Sequence, residues 1–124
     1  MCDHNITRLQ RIQNFAASII CNARSRSSAT ALLHDLRWLR IMERIDYKIA
    51  LTTFKILTTH QPAYLNSLLT ENVPKRVLRS STSGLTLSVH VVKSVHSSRV
   101  FSSYAPRLWN GFSRKIRDCC CFTE

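Results

Sequence analysis

The longest uninterrupted pattern of hydrophobic and polar positions spans residues 36–59 and predicts a helix over 41–59. Two apolar rows recur in it at helical intervals, namely Ile41, Ile45, Ile49 and Ile56, and Tyr47, Leu51, Phe54 and Leu57. The polar positions left over form a narrow basic file on one face, made of Arg44, Lys48, Thr52, Lys55 and Thr59. We therefore expect the apolar rows to be buried and the basic file to face solvent.

Three further segments show helical spacing and would pack around the long helix. They cover residues 6–23, 31–37 and 62–70. Thr30 is a good N-cap for the second segment, and Pro62 suits the first position of the third. The four helices predict a mainly α fold, a small helical bundle over residues 1–70. Its core is expected to include Ile19, Leu36, Ile49, Phe54 and Leu68.

The pattern changes after residue 70. Residues 71–84, ENVPKRVLRSSTSG, have no apolar periodicity and predict an extended, basic, Ser/Thr-rich linker. Residues 85–92 alternate between apolar and polar, which is typical of a half-buried strand, although no partner strand is evident. We expect this strand and short C-terminal helices, broken at Ala105-Pro106, to pack on the bundle over 85–118. Residues 119–124 predict a disordered tail.

The charge balance indicates a polyanionic partner. The 124 residues include 18 Lys and Arg against 7 Asp and Glu, a formal net charge of +11. Arginine predominates among the basic residues, and its planar guanidinium suits phosphate. An alternative left open is a chain of biased composition without a binding role. The candidates for phosphate contacts are Arg44, Lys48, Lys55, Lys75, Arg76 and Arg79.

The sequence contains no residue pattern typical of a catalytic or metal-binding site. His34 and Asp35 are neighbours in a predicted helix, where adjacent side chains diverge, so they do not form a base and its orienting group. The five cysteines contain no Cys-x-x-Cys pair, and three of them are consecutive. We expect no cofactor, no metal ion and no small-molecule substrate.

The N-terminus has no apolar core typical of a signal peptide, and the apolar runs are too short to span a bilayer. The sequence thus predicts an intracellular protein of the nucleus or cytoplasm that is neither secreted nor membrane-bound. A basic peptide lying on a membrane surface would fit only the first helix, whose polar face lacks Lys and interfacial Trp.

Five blocks of the chain, in order and with similar gaps, carry a family resemblance. They are LQRIQNFAASII, LRWLRIMERIDYKIALTTFKIL, QPAYLNSLL, RVLRSSTSGL and RVFSSYAPRLWNGF. Together they resemble the C-terminal region of the reverse transcriptase, an RNA-directed DNA polymerase, of animal non-LTR (LINE-type) retrotransposons. The resemblance implies a piece that follows the polymerase palm and thumb. Two departures stand out: Arg40 and Ala31 replace prolines of the family, and the final residues, DCCCFTE, leave its pattern, as a truncated or decayed copy would.

The resemblance implies no enzymatic activity for this chain. The parent polymerase needs clustered aspartates to hold two metal ions, whereas Asp3, Asp35, Asp46 and Asp118 are scattered singly. The leading hypothesis is a noncatalytic fragment that associates with RNA or DNA through the phosphate backbone, without base readout. The alternatives are a purely structural fragment that packs on the upstream polymerase domain, at its thumb, and a decayed copy with no function.

Overall fold

The computed structural model describes residues 3–23, 27–73, 85–90 and 94–118, and the fold of this part is mainly helical, as predicted. Its helices are α1 Asp3–Ile20, α2 Ala29–Asp35, α3 Ile41–Thr59, α4 Ala63–Asn66, α5 Val95–Ser98, α6 Phe101–Asn110 and α7 Arg114–Asp118. The bounds of α3 are those predicted. Both α1 and α2 begin and end slightly before their predicted bounds, and α4 ends well before residue 70.

The chain divides into two compact units, Met1–Tyr47 and Lys48–Glu124. Most of the predicted linker over 71–84 and the whole of the predicted tail over 119–124 lie outside the described residues. The domain division drawn from the sequence therefore stays a prediction.

Amide side chains organise the first unit, in which α1 packs on α2. The buried Gln13 donates from Nε2 to the carbonyl oxygen of Leu39 at 2.8 Å. Gln10 Oε1 accepts the backbone N–H of Ile41 at 3.0 Å, at the first turn of α3. A helix start leaves its first N–H groups without intrahelical partners, so α1 satisfies one of them from outside.

The start of α3 also caps itself. The carbonyl of Arg40 accepts the N–H of Arg44 at 2.8 Å, which makes Arg40 the N-cap residue. The carboxylate of Glu43 accepts the N–H of Arg40 at 3.0 Å, as the glutamate of a capping box does. Residue 40 is not a proline, and the side-chain hydrogen bonds of Gln10 and Glu43 specify where the helix begins instead.

The apolar row of α1 faces solvent. Ile12, Phe15 and Ile19 are 63%, 68% and 63% exposed, so the prediction that Ile19 belongs to the core was wrong. The buried residues of this helix are Gln13 and Ala17. Because the glutamine amides bind Leu39 and Ile41, they orient α1 with Gln10 and Gln13 inward and its largest apolar side chains outward.

The second unit has a hydrophobic core formed by Ile56, Leu69, Leu87, Ala105 and Trp109. Ile49 and Phe54, both predicted core residues, pack against it as partly buried side chains. Leu68, also predicted for the core, is exposed, because the chain leaves α4 in a tight turn that buries Leu69 instead. The core thus unites the second half of α3 with segments that follow it by up to fifty residues.

The strand predicted over 85–92 was wrong for residues 85–90, and residues 91–93 lie outside the described part of the chain. The described backbone makes only an isolated antiparallel bridge between Glu71 and Leu87. Two hydrogen bonds flank that bridge, from Asn72 N–H to the Thr86 carbonyl and from Ser88 N–H to the Thr70 carbonyl, each 2.8 Å. The alternating pattern correctly indicated extended backbone with Leu87 buried, but a full ladder does not form.

A side chain takes the place of a second strand. Asn110 accepts the N–H of Leu87 on Oδ1 at 2.9 Å and donates from Nδ2 to the Leu87 carbonyl at 2.8 Å. Trp109 Nε1 donates to the carbonyl of Leu85 at 3.3 Å. The end of α6 therefore satisfies the backbone groups that an adjacent strand would have satisfied.

The predicted break at Ala105-Pro106 was also wrong, because α6 continues through Pro106. Proline removes one helical hydrogen bond and crowds the preceding turn. Here Pro106 is itself buried, as are Ala105 and Trp109 on the same helix, and this apolar burial offsets the loss.

Candidate nucleic-acid interface

Four of the five residues in the basic file of α3 are exposed, as the sequence predicts, and Thr52 is half-buried. Lys48 and Lys55 are exposed and seven residues apart, so they point to the same side of the helix about 10 Å from each other along its axis. Neither ammonium group makes an ion pair or hydrogen bond with a described residue. Both belong to the unit Lys48–Glu124.

Arg44 lies one turn before Lys48 on the same helix and is also exposed, but it belongs to the unit Met1–Tyr47. Lys75, Arg76 and Arg79, the other predicted contacts, lie outside the described residues. The structure therefore brings Lys48 and Lys55 together within one unit.

The threonines of the file turn back to their own helix. Thr52 Oγ1 donates to the carbonyl of Lys48 at 2.8 Å, and Thr59 Oγ1 donates to the carbonyl of Lys55 at 2.6 Å. These bonds use the only proton of each hydroxyl, so the threonines offer acceptors rather than donors to a ligand. The lysines are left as the positive groups of this face.

Tyr47 borders the same face and is 55% exposed. The prediction that it belongs to a buried apolar row was wrong. On a helix it lies three residues after Arg44, hence on the neighbouring surface. An exposed aromatic ring beside cations is a combination that single-stranded nucleic acid uses, because bases stack on such rings.

A second basic surface, which the sequence analysis missed, lies between α5 and α6. We call it the α5–α6 pocket, a depression of about 370 Å³ lined by Ser98, Arg99, Tyr104, Arg107 and Leu108. Its wall from α6 is formed by residues at positions i, i+3 and i+4. The only sequence signal for it was the pair of arginines flanking an aromatic residue, and their approach depends on how two helices meet.

The described residues that line the α5–α6 pocket include two arginines, and the described carboxylates of this unit lie elsewhere. They belong to Glu71 and Asp118, neither of which lines the pocket. Asp118 accepts a hydrogen bond from Arg114 Nε at 3.0 Å across one turn of α7. The Arg107 side chain is exposed and makes no hydrogen bond or ion pair with a described residue.

The first unit has a larger groove, of about 650 Å³, whose charges are mixed. It is lined by Thr30, Leu33, His34, Arg37, Trp38, Leu39, Arg40 and Glu43. The guanidinium of Arg40 already donates to Thr30 Oγ1 at 2.9 Å, and Glu43 is bound to the helix start. This groove is less suited to an anion than the α5–α6 pocket.

The neighbouring residues His34 and Asp35 lie at the surface. His34 Nδ1 and Asp35 Oδ1 are 4.0 Å apart, and both side chains are almost fully in solvent. Among the described residues no group of three His, Cys, Asp or Glu side chains could hold a metal ion. Cys21 is a half-buried free thiol.

None of the described helices is both long enough and apolar enough to cross a membrane. Comparison with protein families, with curated proteins and with solved structures finds no match for this chain.

Proposed function

We propose that this chain is a noncatalytic helical module that associates with RNA or DNA through the phosphate backbone. The observation that carries the proposal is the exposed pair Lys48 and Lys55 on α3, two turns apart and without a described acceptor. Its setting supports the same conclusion. The unit Lys48–Glu124 contains 11 of the 18 basic residues of the chain and 3 of its 7 acidic residues.

The chemistry of these groups favours backbone contact over base readout. A lysine ammonium is a compact point charge that attracts phosphate from any direction. Sequence is read by planar groups that match the edges of bases, and α3 offers no Asn, Gln or second arginine beside its lysines. Binding would therefore be electrostatic and insensitive to sequence.

The resemblance to the C-terminal region of LINE-type reverse transcriptases supports the proposal from another direction. In such a parent, this region would accompany a polymerase that handles RNA and DNA, inside the nucleus or cytoplasm. The single, scattered aspartates of this chain favour a binding role without polymerase or nuclease chemistry.

Replacing both lysines tests the proposed surface. We expect K48Q/K55Q to bind a labelled single-stranded oligonucleotide several-fold more weakly at low salt, and by the same factor for different base sequences. Fluorescence anisotropy with oligomers of mixed and uniform sequence measures this.

The matched control is R8Q/R11Q, which removes the same charge from exposed positions of α1 in the other unit. It should weaken binding less than K48Q/K55Q does. Equal losses in the two variants would mean that net charge alone governs binding, and would contradict the assignment of the surface to α3.

The exposed apolar row of α1 supports a second candidate, a purely structural fragment that packs on an upstream polymerase domain. Ile12, Phe15 and Ile19 would then be an interface rather than free surface. A chain of this kind would self-associate or bind a hydrophobic dye when isolated, and would not bind oligonucleotides. The triple variant I12S/F15S/I19S would abolish dye binding under this candidate.

A further inference from the structure

The α5–α6 pocket lies on a different face of α6 from the hydrophobic core. Ala105 and Trp109 of this helix are buried in the core, whereas Tyr104, Arg107 and Leu108 line the pocket. The helix is thus fixed on one side, and its other side presents a prearranged set of groups. A packed helix keeps the backbone positions of these residues fixed when a ligand binds.

We infer that the α5–α6 pocket holds one nucleotide of a single-stranded nucleic acid, with a phosphate at Arg99 and Arg107 and a base against Tyr104. This inference rests on the proposed function and adds to it a site that Lys48 and Lys55 do not include. It also adds a preference for single-stranded over double-stranded nucleic acid, because α3 alone would bind both through phosphate.

Charge and geometry identify phosphate as the anionic group. Two guanidinium groups line a single depression, and none of the described residues of its lining carries a carboxylate. Guanidinium presents several N–H donors in a plane, a geometry that matches the oxygens of a phosphodiester. Ser98 adds a hydroxyl to the same lining. A carboxylate ligand would also be negatively charged, but it would make no use of the aromatic ring of Tyr104.

The aromatic wall identifies the second half of the ligand. Tyr104 and Leu108 are half-buried and lie one turn apart on α6, beside the cations. The depression of about 370 Å³ falls within the range of roughly 300–1,000 Å³ for small-ligand pockets, so it has room beyond a phosphate. Bases of a duplex are stacked inside it and do not reach such a pocket, whereas bases of a single strand do.

The test uses the full chain and a fluorescein-labelled oligothymidylate, with an abasic oligomer of the same length as second probe. The variants are R107Q, which removes a cation from the pocket, and Y104A, which removes the ring. R114Q is the matched control for charge, since Arg114 lies on α7 outside the pocket lining, and Y104F keeps the ring. Circular dichroism verifies that each variant keeps its helices.

We expect R107Q to weaken binding of both probes about tenfold and to flatten the salt dependence, because one phosphate contact is lost. Y104A should weaken binding of oligothymidylate about tenfold and leave abasic binding unchanged, because stacking on aromatic rings needs a base. R114Q and Y104F should stay close to the original affinity.

The outcomes separate this inference from the proposed function. If the unaltered chain binds neither probe, both are overturned. In the other outcome the unaltered chain binds while R107Q keeps the same affinity as R114Q, and Y104A lowers the affinity for both probes by the same factor or for neither. In that case the pocket is not a nucleotide site, whereas association through the phosphate backbone stands.

Discussion

Three residues with positive φ end the first three helices, and none of them is glycine. They are Asn22, Arg37 and His60, with φ of 45°, 54° and 53°. At the end of α2, Arg37 N–H donates to the His34 carbonyl at 2.9 Å and Trp38 N–H donates to the Leu33 carbonyl at 2.8 Å. This is the Schellman arrangement, whose left-handed position is usually occupied by glycine. With two glycines in 124 residues, the chain uses larger side chains at this position.

Arg37 should therefore carry local strain that a glycine would relieve. We expect R37G to raise the free energy of unfolding by about 1 kcal/mol, since an L side chain in the left-handed region costs about that much. Urea unfolding followed by circular dichroism measures the change. R37A is the control, because it removes the guanidinium and keeps Cβ, and so should give no gain. Equal stability of R37G and R37A would show that the cap is unstrained.

Residue-scale chemistry explains which predictions of exposure and burial were correct. Lys48 and Lys55 were identified as exposed because long charged side chains interrupt an otherwise apolar helix at one angular position. Tyr47 was placed in the core on spacing alone, and spacing does not tell which apolar rows another element covers. The α5–α6 pocket was missed because Arg99 and Arg107 meet only through the packing of two short helices.

At the scale of elements, hydrogen bonds made by the side chains of Trp109 and Asn110 join α6 to residues 85–90. Asn110 makes two hydrogen bonds to the backbone of the buried Leu87. A buried N–H and carbonyl without partners cost about 1–3 kcal/mol each. The asparagine amide is the group that removes this cost, since it offers a donor and an acceptor together.

Asn110 should accordingly be important for stability. We expect N110A to lower the free energy of unfolding by about 2–4 kcal/mol and to speed hydrogen exchange at the Leu87 amide. Asn72→Ala is the control, because the Asn72 side chain is exposed and should contribute within about 0.5 kcal/mol. Similar stabilities of the two variants, with slow exchange at Leu87 in both, would contradict the role of Asn110.

The elements also show how far local pattern determines the fold. The bounds of α3 were predictable because helical periodicity and the absence of Gly and Pro are local features. Extended backbone at Leu85 and Leu87 was predictable for the same reason. Its partner was not, because Asn110 lies 23 residues further along and binds by its side chain. The orientation of α1 likewise depends on Gln10 and Gln13 binding the chain before α3.

At the scale of the whole molecule, positive charge is the dominant property. The net charge of +11 is concentrated in the unit that contains Lys48, Lys55 and the α5–α6 pocket. A protein with this balance attracts nucleic acid over long range and releases counterions when it binds. The exposed apolar row of α1 belongs to the other unit and is available to a protein partner. The two proposed roles, association with nucleic acid and packing on an upstream polymerase domain, thus concern residues of different units.

The most direct test is the salt dependence of binding by the unaltered chain. Anisotropy titrations with a labelled single-stranded oligonucleotide, repeated over a series of sodium chloride concentrations, give the slope of log K against log salt. Each phosphate contact contributes about −0.7 for a single strand, so Lys48, Lys55, Arg99 and Arg107 together predict a slope of about −3. A slope near zero, or no binding at micromolar protein and low salt, would contradict association with nucleic acid through phosphate.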